Sequence, residues 1–276
     1  MDHACEVSAG ERFEFGENWA RFGLGRGDES IRDAERSLEQ MLQPPPISGK
    51  SFLDIGSGSG LFSLAARRMG AHVRSFDYDP ASVSCTKALR DRFFPDDGNW
   101  RVEEGSILDD DYVESLGKFD IVYSWGVLHH TGEMWKALEN AARLVRDGGT
   151  LFIAIYNDQG RSSRIWSKVK RAYVKLPRPL RWVVLYPAAA RLWGPTMVRD
   201  MLRGRPFQTW RSYGKSMMRG MDPWRDLVDW VGGYPFEVAK PEQIFDFYRD
   251  RGFELQRLST CAGGLGCNEF VFRKPG

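Results

Sequence analysis

Between Ser51 and Gly60 the chain reads Ser-Phe-Leu-Asp-Ile-Gly-Ser-Gly-Ser-Gly. Phe52, Leu53 and Ile55 form a short apolar strand that runs into Gly56, Gly58 and Gly60. A helical pattern begins at once, with Leu61, Leu64, Ala65 and Arg68, and ends at Gly70. Strand, glycine turn and helix, in that order, is how an α/β fold brings backbone N–H groups and a helix N-terminus up to a ligand. Each glycine removes a Cβ that would block the ligand or the tight turn. Glycine-rich βα turns recur widely, so the acids around this one decide more. Asp54 stands just before the first glycine, where a carboxylate faces the ligand from the strand end. Asp77 ends the next strand, His72-Val73-Arg74-Ser75-Phe76, and is placed to accept hydrogen bonds from ribose hydroxyls.

The spacing also separates ligands. A dinucleotide fingerprint needs Gly-x-Gly-x-x-Gly or Ala. Here the third glycine comes early and Leu61 fills the place of the small residue, which argues against a nicotinamide-dependent oxidoreductase. Asp-x-Gly-x-Gly-x-Gly followed by an acidic second strand end resembles the class I S-adenosylmethionine (SAM)-dependent methyltransferases. The resemblance covers roughly Lys50 to Asn157 and returns near the C-terminus. It implies an α/β fold: a Rossmann-like, seven-stranded, mostly parallel sheet with helices on both faces. The cofactor it implies is SAM, with S-adenosylhomocysteine (SAH) as product. Cofactor contacts then fall to Asp54, Gly56, Ser57, Gly58, Gly60 and Asp77, with Asp77 on the ribose. Tyr78 follows directly and offers its ring to the adenine. Glu104-Gly105-Ser106-Ile107 resembles the family's Gly-Asp-Ala turn at the adenine; Ser106 replaces the usual Asp, so the adenine amino contact passes to backbone or to Asp109. Trp125 and Trp19 complete the expected cofactor shell.

Composition narrows the class. No apolar run is long enough to cross a bilayer, and Met1-Asp2-His3-Ala4-Cys5-Glu6 lacks a basic-then-apolar signal, so a cytoplasmic protein is expected. Cys5, Cys85, Cys261 and Cys267 are scattered without a C-x-x-C pair or a His cluster, which speaks against a metal site and for reduced thiols.

Residues 1–47 read as an N-terminal helical extension. Phe15, Trp19 and Phe22 share a helical face that either packs on the main domain or caps the cofactor, with Asn18, Trp19 or Arg21 near the SAM carboxylate. A second helix, Asp28 to Leu42, stops before the stiff Pro44-Pro45-Pro46 linker. The SAM-binding core occupies 48–159. Its helices are expected at Ala81–Phe93 and at Glu133–Arg146, the latter with a Trp135, Leu138, Ala142, Val145 stripe closed by Gly148-Gly149. The fifth strand is read as Thr150 to Ile155. Residues 236–276 return to the core with a helix and an antiparallel strand pair.

The fourth strand, Phe119 to Ser124, leads into Trp125-Gly126-Val127-Leu128-His129-His130. His129 and His130 are the best general-base candidates in a chain with four histidines. The alternative is that one of them bonds backbone and the other is exposed. Tyr156 and Asn157, at the same carboxyl edge, fall on the substrate side, and segments 232–237 and 263–268 are expected to approach the site.

Residues 160–235 interrupt the pattern as a basic, aromatic-rich helical lid. Four readings fit it: a solvated cap, a binder of anionic acceptors, a membrane-surface patch around Leu180–Trp193, or an RNA contact. Nucleic acid ranks last, because the formal net charge is only +2 and no separate RNA-binding module is visible. The arrangement resembles small-molecule O-methyltransferases, including those of quinone biosynthesis. Methyl transfer to a small anionic or amphipathic acceptor, on a hydroxyl or carboxylate oxygen, is therefore expected. The alternatives are a lipid-like or RNA acceptor reached through the lid, and a SAM-binding protein without catalysis. The oligomeric state is left open.

Overall fold

The computed structural model of the chain describes residues 2–17, 28–42, 46–216 and 223–276. Trp19, Asn18, Arg21 and Phe22 lie outside them, as do Pro44 and Pro45.

Seven strands form one sheet: β1 (Ser51–Ile55), β2 (His72–Asp77), β3 (Trp100–Glu104), β4 (Phe119–Trp125), β5 (Val145–Tyr156), β6 (Glu254–Ser259) and β7 (Cys267–Arg273). Their spatial order is β3-β2-β1-β4-β5-β7-β6, with β7 antiparallel to both neighbours and the other pairings parallel. Leaving β1 the chain winds outward through β2 and β3, then crosses back to β4 and winds the other way. The crevice between the carboxyl ends of β1 and β4 is therefore the topological switch point, where open α/β sheets bind ligands.

The helices are α1 (His3–Ser8), α2 (Asp28–Leu42), α3 (Leu61–Arg68), α4 (Pro80–Phe93), α5 (Asp110–Leu116), α6 (Met134–Arg143), α7 (Arg161–Lys175), α8 (Trp182–Leu202), α9 (Gln208–Ser216), α10 (Pro223–Gly232) and α11 (Pro241–Arg249). Alternation along β1 feeds two cores. Leu53 and Ile55 pack with α5, α6 and α11 through Val113, Leu138 and Tyr248. Phe52 packs on the opposite face with α2, α3 and α4 through Leu38, Leu64 and Val83.

One boundary differs from the sequence reading for a physical reason. The helix expected to run to Arg146 ends at Arg143, and β5 begins at Val145. Val145 pairs with Phe119, and the register shift between Phe119 and Ile121 lets Gly148-Gly149 sit within β5 rather than close a helix. Trp135, expected on the buried stripe, is 40% exposed.

Helices α7 to α10 form the lid between β5 and α11. They have a small core of their own, in which Trp166, Tyr173, Leu185, Leu227 and Val231 meet Phe13 from the N-terminal segment. Phe13 N–H donates to the Tyr234 carbonyl at 2.9 Å, and its ring occupies the space a Cβ on Gly232 would need. The N-terminal segment is thus sewn to the lid. No described helix is long and apolar enough to cross a membrane.

Candidate active site

The glycine loop forms where β1 meets α3. Gly56, at φ +76°, faces the turn after β4, and a Cβ there would lie 2.4 Å from Val127 Cγ1. The residue must therefore be glycine for both conformation and space. Gly56→Ala is expected to cost about 2–4 kcal/mol, from left-handed strain plus overpacking; denaturant melting of the variant checks it. Gly60, at φ +76°, serves packing instead: a Cβ would approach Thr86 Cα at 3.0 Å, and the residue does not line the cavity described below. Ser57 Oγ lies 3.0 Å from Thr86 Oγ1. Asp54, buried at the strand end, accepts from Ser63 Oγ at 2.5 Å; Ser63 in turn meets Ser75, which accepts from the Trp100 indole at 2.9 Å. This chain of hydrogen bonds fixes the carboxylate at the floor of the crevice.

Asp77 closes the loop from the side. Its carboxylate accepts from Gly58 N–H at 2.8 Å and from Asp79 N–H at 2.9 Å. Burial pushes its pKa up to about 6, against the downward pull of those donors. Asp79 caps α4 through Ala81 N–H and also accepts from Gly16 N–H at 2.6 Å. Tyr78 is covered by the N-terminal segment. Its hydroxyl donates to Glu6 at 3.2 Å, the His3 ring stands edge-on at 5.4 Å, and the Arg12 guanidinium lies 5.0 Å over the ring.

Ser106 and Ile107 line the crevice beyond Asp77. Ser106 Oγ accepts from Leu108 N–H at 3.2 Å, which shapes the turn, and Asn140 holds the Ile107 carbonyl at 2.8 Å. Asp109, offered in the sequence as an adenine contact, instead caps α5 by accepting from Tyr112 N–H at 3.1 Å and is not among the lining residues.

The two histidines separate in the fold. They lie on a single 3₁₀ turn, Leu128–His130, and both are buried. His129 Nδ1 accepts from Tyr156 N–H at 3.3 Å, its ring rests on the Tyr156 ring at 4.0 Å, and it does not line the cavity. His130 does line it. His130 Nδ1 lies 2.6 Å from the Pro235 carbonyl, which can only accept, so Nδ1 carries the proton and Nε2 keeps the lone pair. Burial, with Lys170 and Arg12 nearby, pushes the His130 pKa down to about 3, so the ring is neutral at physiological pH. Arg12 donates to the carbonyls of His130 and Thr131 at 2.9 and 3.3 Å, tying the N-terminal segment to this turn.

Tyr156 lines the cavity, and Asn157 does not. Asn157 instead anchors the 263–268 connection: its N–H donates to Gly266 at 2.9 Å and its side-chain oxygen accepts from Asn268 at 3.1 Å. That connection reaches the site as expected, through Leu265, Gly266 and Cys267. Trp125 donates its indole N–H to Glu269 at 2.6 Å.

These groups surround one cavity of about 630 Å³ that runs from the glycine loop to the lid. The sequence reading missed the lid's share of its wall: Leu192, Trp193, Tyr213, Asp226, Leu227 and Trp230. It also missed Arg12 and Phe13, while Phe15, which it put on the capping face, does line the cavity. None of the lid's described Lys or Arg residues lines the cavity. Among the described residues, Arg12 is the one Lys or Arg lining the cavity. No disulfide joins any of the four cysteines, and no metal-binding cluster occurs among the described residues.

The comparisons with known proteins agree with this geometry. Residues 28–217, well over half of the chain, match the family described as a methyltransferase domain. The ubiquinone biosynthesis O-methyltransferase of Caulobacter vibrioides is 27% identical over 199 residues, which is 71% of this chain and 74% of that one. Its counterpart from a Methylobacterium strain is 30% identical, over 48% of this chain and 52% of its own length. The tRNA U34 carboxymethyltransferase of Methylococcus capsulatus is 31% identical, over 47% of this chain and 39% of its own. Apart from the Caulobacter match, these alignments span about half the length of the relatives, or less. Among solved structures, the magnesium protoporphyrin IX methyltransferase of Synechocystis PCC 6803 with bound SAH superposes with a TM-score of 0.55 at 15% identity, covering 94% of this chain and 93% of that one. PKMT2 from Rickettsia typhi, in complex with AdoHcy, also reaches 0.55 at 15% identity, covering 88% and 53%. At such identities the superpositions speak for the fold alone. By the match over most of its length, the chain belongs to the methyltransferase-domain family and is a class I SAM-dependent methyltransferase.

Proposed function

We propose that the protein moves the SAM methyl group to a hydroxyl oxygen of a small, amphipathic acceptor held under the lid, with His130 as the general base. The observation that carries this reading is the state of His130: it lines the cavity, donates Nδ1–H to Pro235 and keeps a neutral Nε2. Asp77 is read as the ribose anchor, the Gly56–Gly58 backbone as the cradle, and Tyr78 with Ile107 as the adenine walls. Residues 3–16 serve as a cap; Trp19, which the sequence also offered for that role, lies outside the described residues. SAM supplies a methyl group bound to a positively charged sulfur. The acceptor oxygen takes the methyl, the S–C bonding pair stays on sulfur, and the hydroxyl proton goes to His130 Nε2. One cation vanishes as another appears, so the buried site does not change net charge, which favours transfer to an imidazole that is otherwise hard to protonate.

The cavity wall favours a neutral, aromatic or prenyl-like acceptor over an anionic one. Trp193, Tyr213, Trp230 and Leu227 supply apolar surface, and no described Lys or Arg of the lid lines the cavity. Incubation with methyl-labelled SAM and a panel of phenols, catechols and their carboxylate analogues tests this. Label on the hydroxyl oxygen of the neutral compounds is expected, and label on the carboxylates alone would refute it.

The lid's outer side supports a membrane-surface contact. Residues 161–213 hold thirteen Lys and Arg against one acid, Asp200, which is spent on capping Thr209. Along α8 the exposed Val183, Tyr186, Val198 and Met201 repeat at helical spacing, beside exposed Trp182 and Leu202. An apolar face set among arginines matches an anionic bilayer surface. Co-sedimentation with phosphatidylglycerol vesicles but not phosphatidylcholine vesicles is expected, weakened by Tyr186→Glu with Met201→Glu. Equal binding to both vesicle types, binding to neither, or retention by tRNA instead would overturn it.

A further inference from the structure

Lys170 is a lysine that the reaction described above does not use. It sits on α7 in the lid with 0% exposure. Its ammonium donates to the Trp230 carbonyl, in the last turn of α10. Three aromatic rings box it: Trp230 at 4.3 Å, Phe236 at 4.7 Å and Tyr156 at 5.9 Å from Nζ to ring centroid. These distances are within cation–π range. Asp229 on α10 and Cys267 on β7 also face it. Burial pushes its pKa down to about 7, so its ammonium form is disfavoured inside the lid. A methionine would fill the same space without that cost, so stability does not account for a lysine here.

What the lysine grips is informative. Trp230 and Phe236 flank the short connection that contains Pro235, the acceptor for His130 Nδ1–H. Tyr156, the third ring, ends β5 and packs against both histidines, at 4.0 Å from His129 and 5.4 Å from His130. Glu237 N–H, just beyond, donates to the His129 carbonyl at 3.0 Å. One side chain therefore ties the lid, the Pro235 connection and the catalytic strand edge to each other.

We infer that Lys170 is a positioning residue: by holding both flanks of Pro235 it fixes the His130 tautomer and the aim of Nε2 at the acceptor. The inference rests on His130 being the base. Loss of the clamp frees the connection to shift, and His130 loses the single acceptor that holds the proton on Nδ1.

The test uses Lys170→Met in the full chain, with two readouts. The first is imidazole ¹⁵N NMR, with His130 assigned by its own substitution. Wild type should show the Nδ1–H tautomer, and Lys170→Met a mixture. The second is kinetic: kcat should fall about 10–100-fold, the cost of a misplaced group, with the SAM KM within about twofold. Melting temperature should be unchanged or higher, whereas a merely structural lysine would lower it and leave the tautomer alone. An unaltered His130 tautomer in a folded Lys170→Met protein would overturn the inference. If His130→Ala left kcat unchanged, the base assignment would fall instead, and the NMR readout would still decide what Lys170 does.

Discussion

His130→Ala is expected to lower kcat by about 10²–10⁴-fold, the usual contribution of a positioned general base, while SAH binds as it does to wild type. The substitution removes the nitrogen proposed to take the hydroxyl proton and leaves the Asp77 side of the cavity untouched. His129→Ala should behave differently. Its ring is fully buried and packs on Tyr156, so its loss should appear as a lower melting temperature with a smaller effect on turnover. The pH dependence distinguishes a buried base from an exposed one. Because the His130 pKa lies near 3, the ring stays neutral across pH 5 to 8 and itself adds no fall in rate toward low pH there; a fall as pH rises through about 7 belongs to loss of the Lys170 ammonium instead. A fall toward low pH centred on the ordinary histidine value of about 6.5 would assign the base to an exposed ring. Stability follows the same shift. The unfolded histidine takes up a proton below about 6.5. The folded one resists until about 3, so this group costs the fold stability as pH falls through that window.

Asp77→Ala should weaken SAH about 100-fold. In the proposed site the carboxylate would accept charge-assisted hydrogen bonds from the ribose, and it braces Gly58 and Asp79. Losing roughly 3 kcal/mol from such bonds corresponds to that factor. Here too the sign with pH is defined. If Asp77 is the ribose anchor, the ribose hydroxyls donate to its ionised carboxylate, so binding favours that form and competes with protonation. Wild-type affinity should be level above about pH 6 and decline below it, by at most about tenfold per unit, because burial has raised the Asp77 pKa to about 6. Asp77→Asn, which cannot ionise, should bind weakly at every pH. Calorimetric titration of the three proteins between pH 5 and 8 checks both claims.

The core was legible because its signals are local. The glycine loop, the acid ending β2 and the apolar strands each follow from a few adjacent residues, and the switch-point crevice follows from their order. Gly56 could be assigned to a tight turn, but its contact with Val127 depends on β4 lying beside β1. The acceptor end was much less legible. Lid residues such as Trp193, Tyr213 and Trp230 come from three helices whose mutual packing no periodicity specifies. The abundance of Arg and Lys in the lid suggested an anionic acceptor, yet among the described residues the lid contributes no Lys or Arg to the cavity wall, while Trp193, Tyr213 and Trp230 line it. Asn157 and Asp109 show the complementary error. Each is a polar residue near the carboxyl edge, and each is spent on holding local structure: Asn157 on the 263–268 connection and on Asn268, Asp109 on the start of α5. His129 and His130 were indistinguishable as neighbours in sequence. Only the 3₁₀ turn, which sends one ring against β5 and the other toward Pro235, separates them.

Crystals grown with SAH would test the central claim most directly. The account predicts the ribose on the Asp77 carboxylate, the adenine between Tyr78 and Ile107, and the sulfur turned toward His130 and the aromatic chamber under the lid. SAH bound with its sulfur facing away from His130, or held outside this cavity altogether, would contradict it.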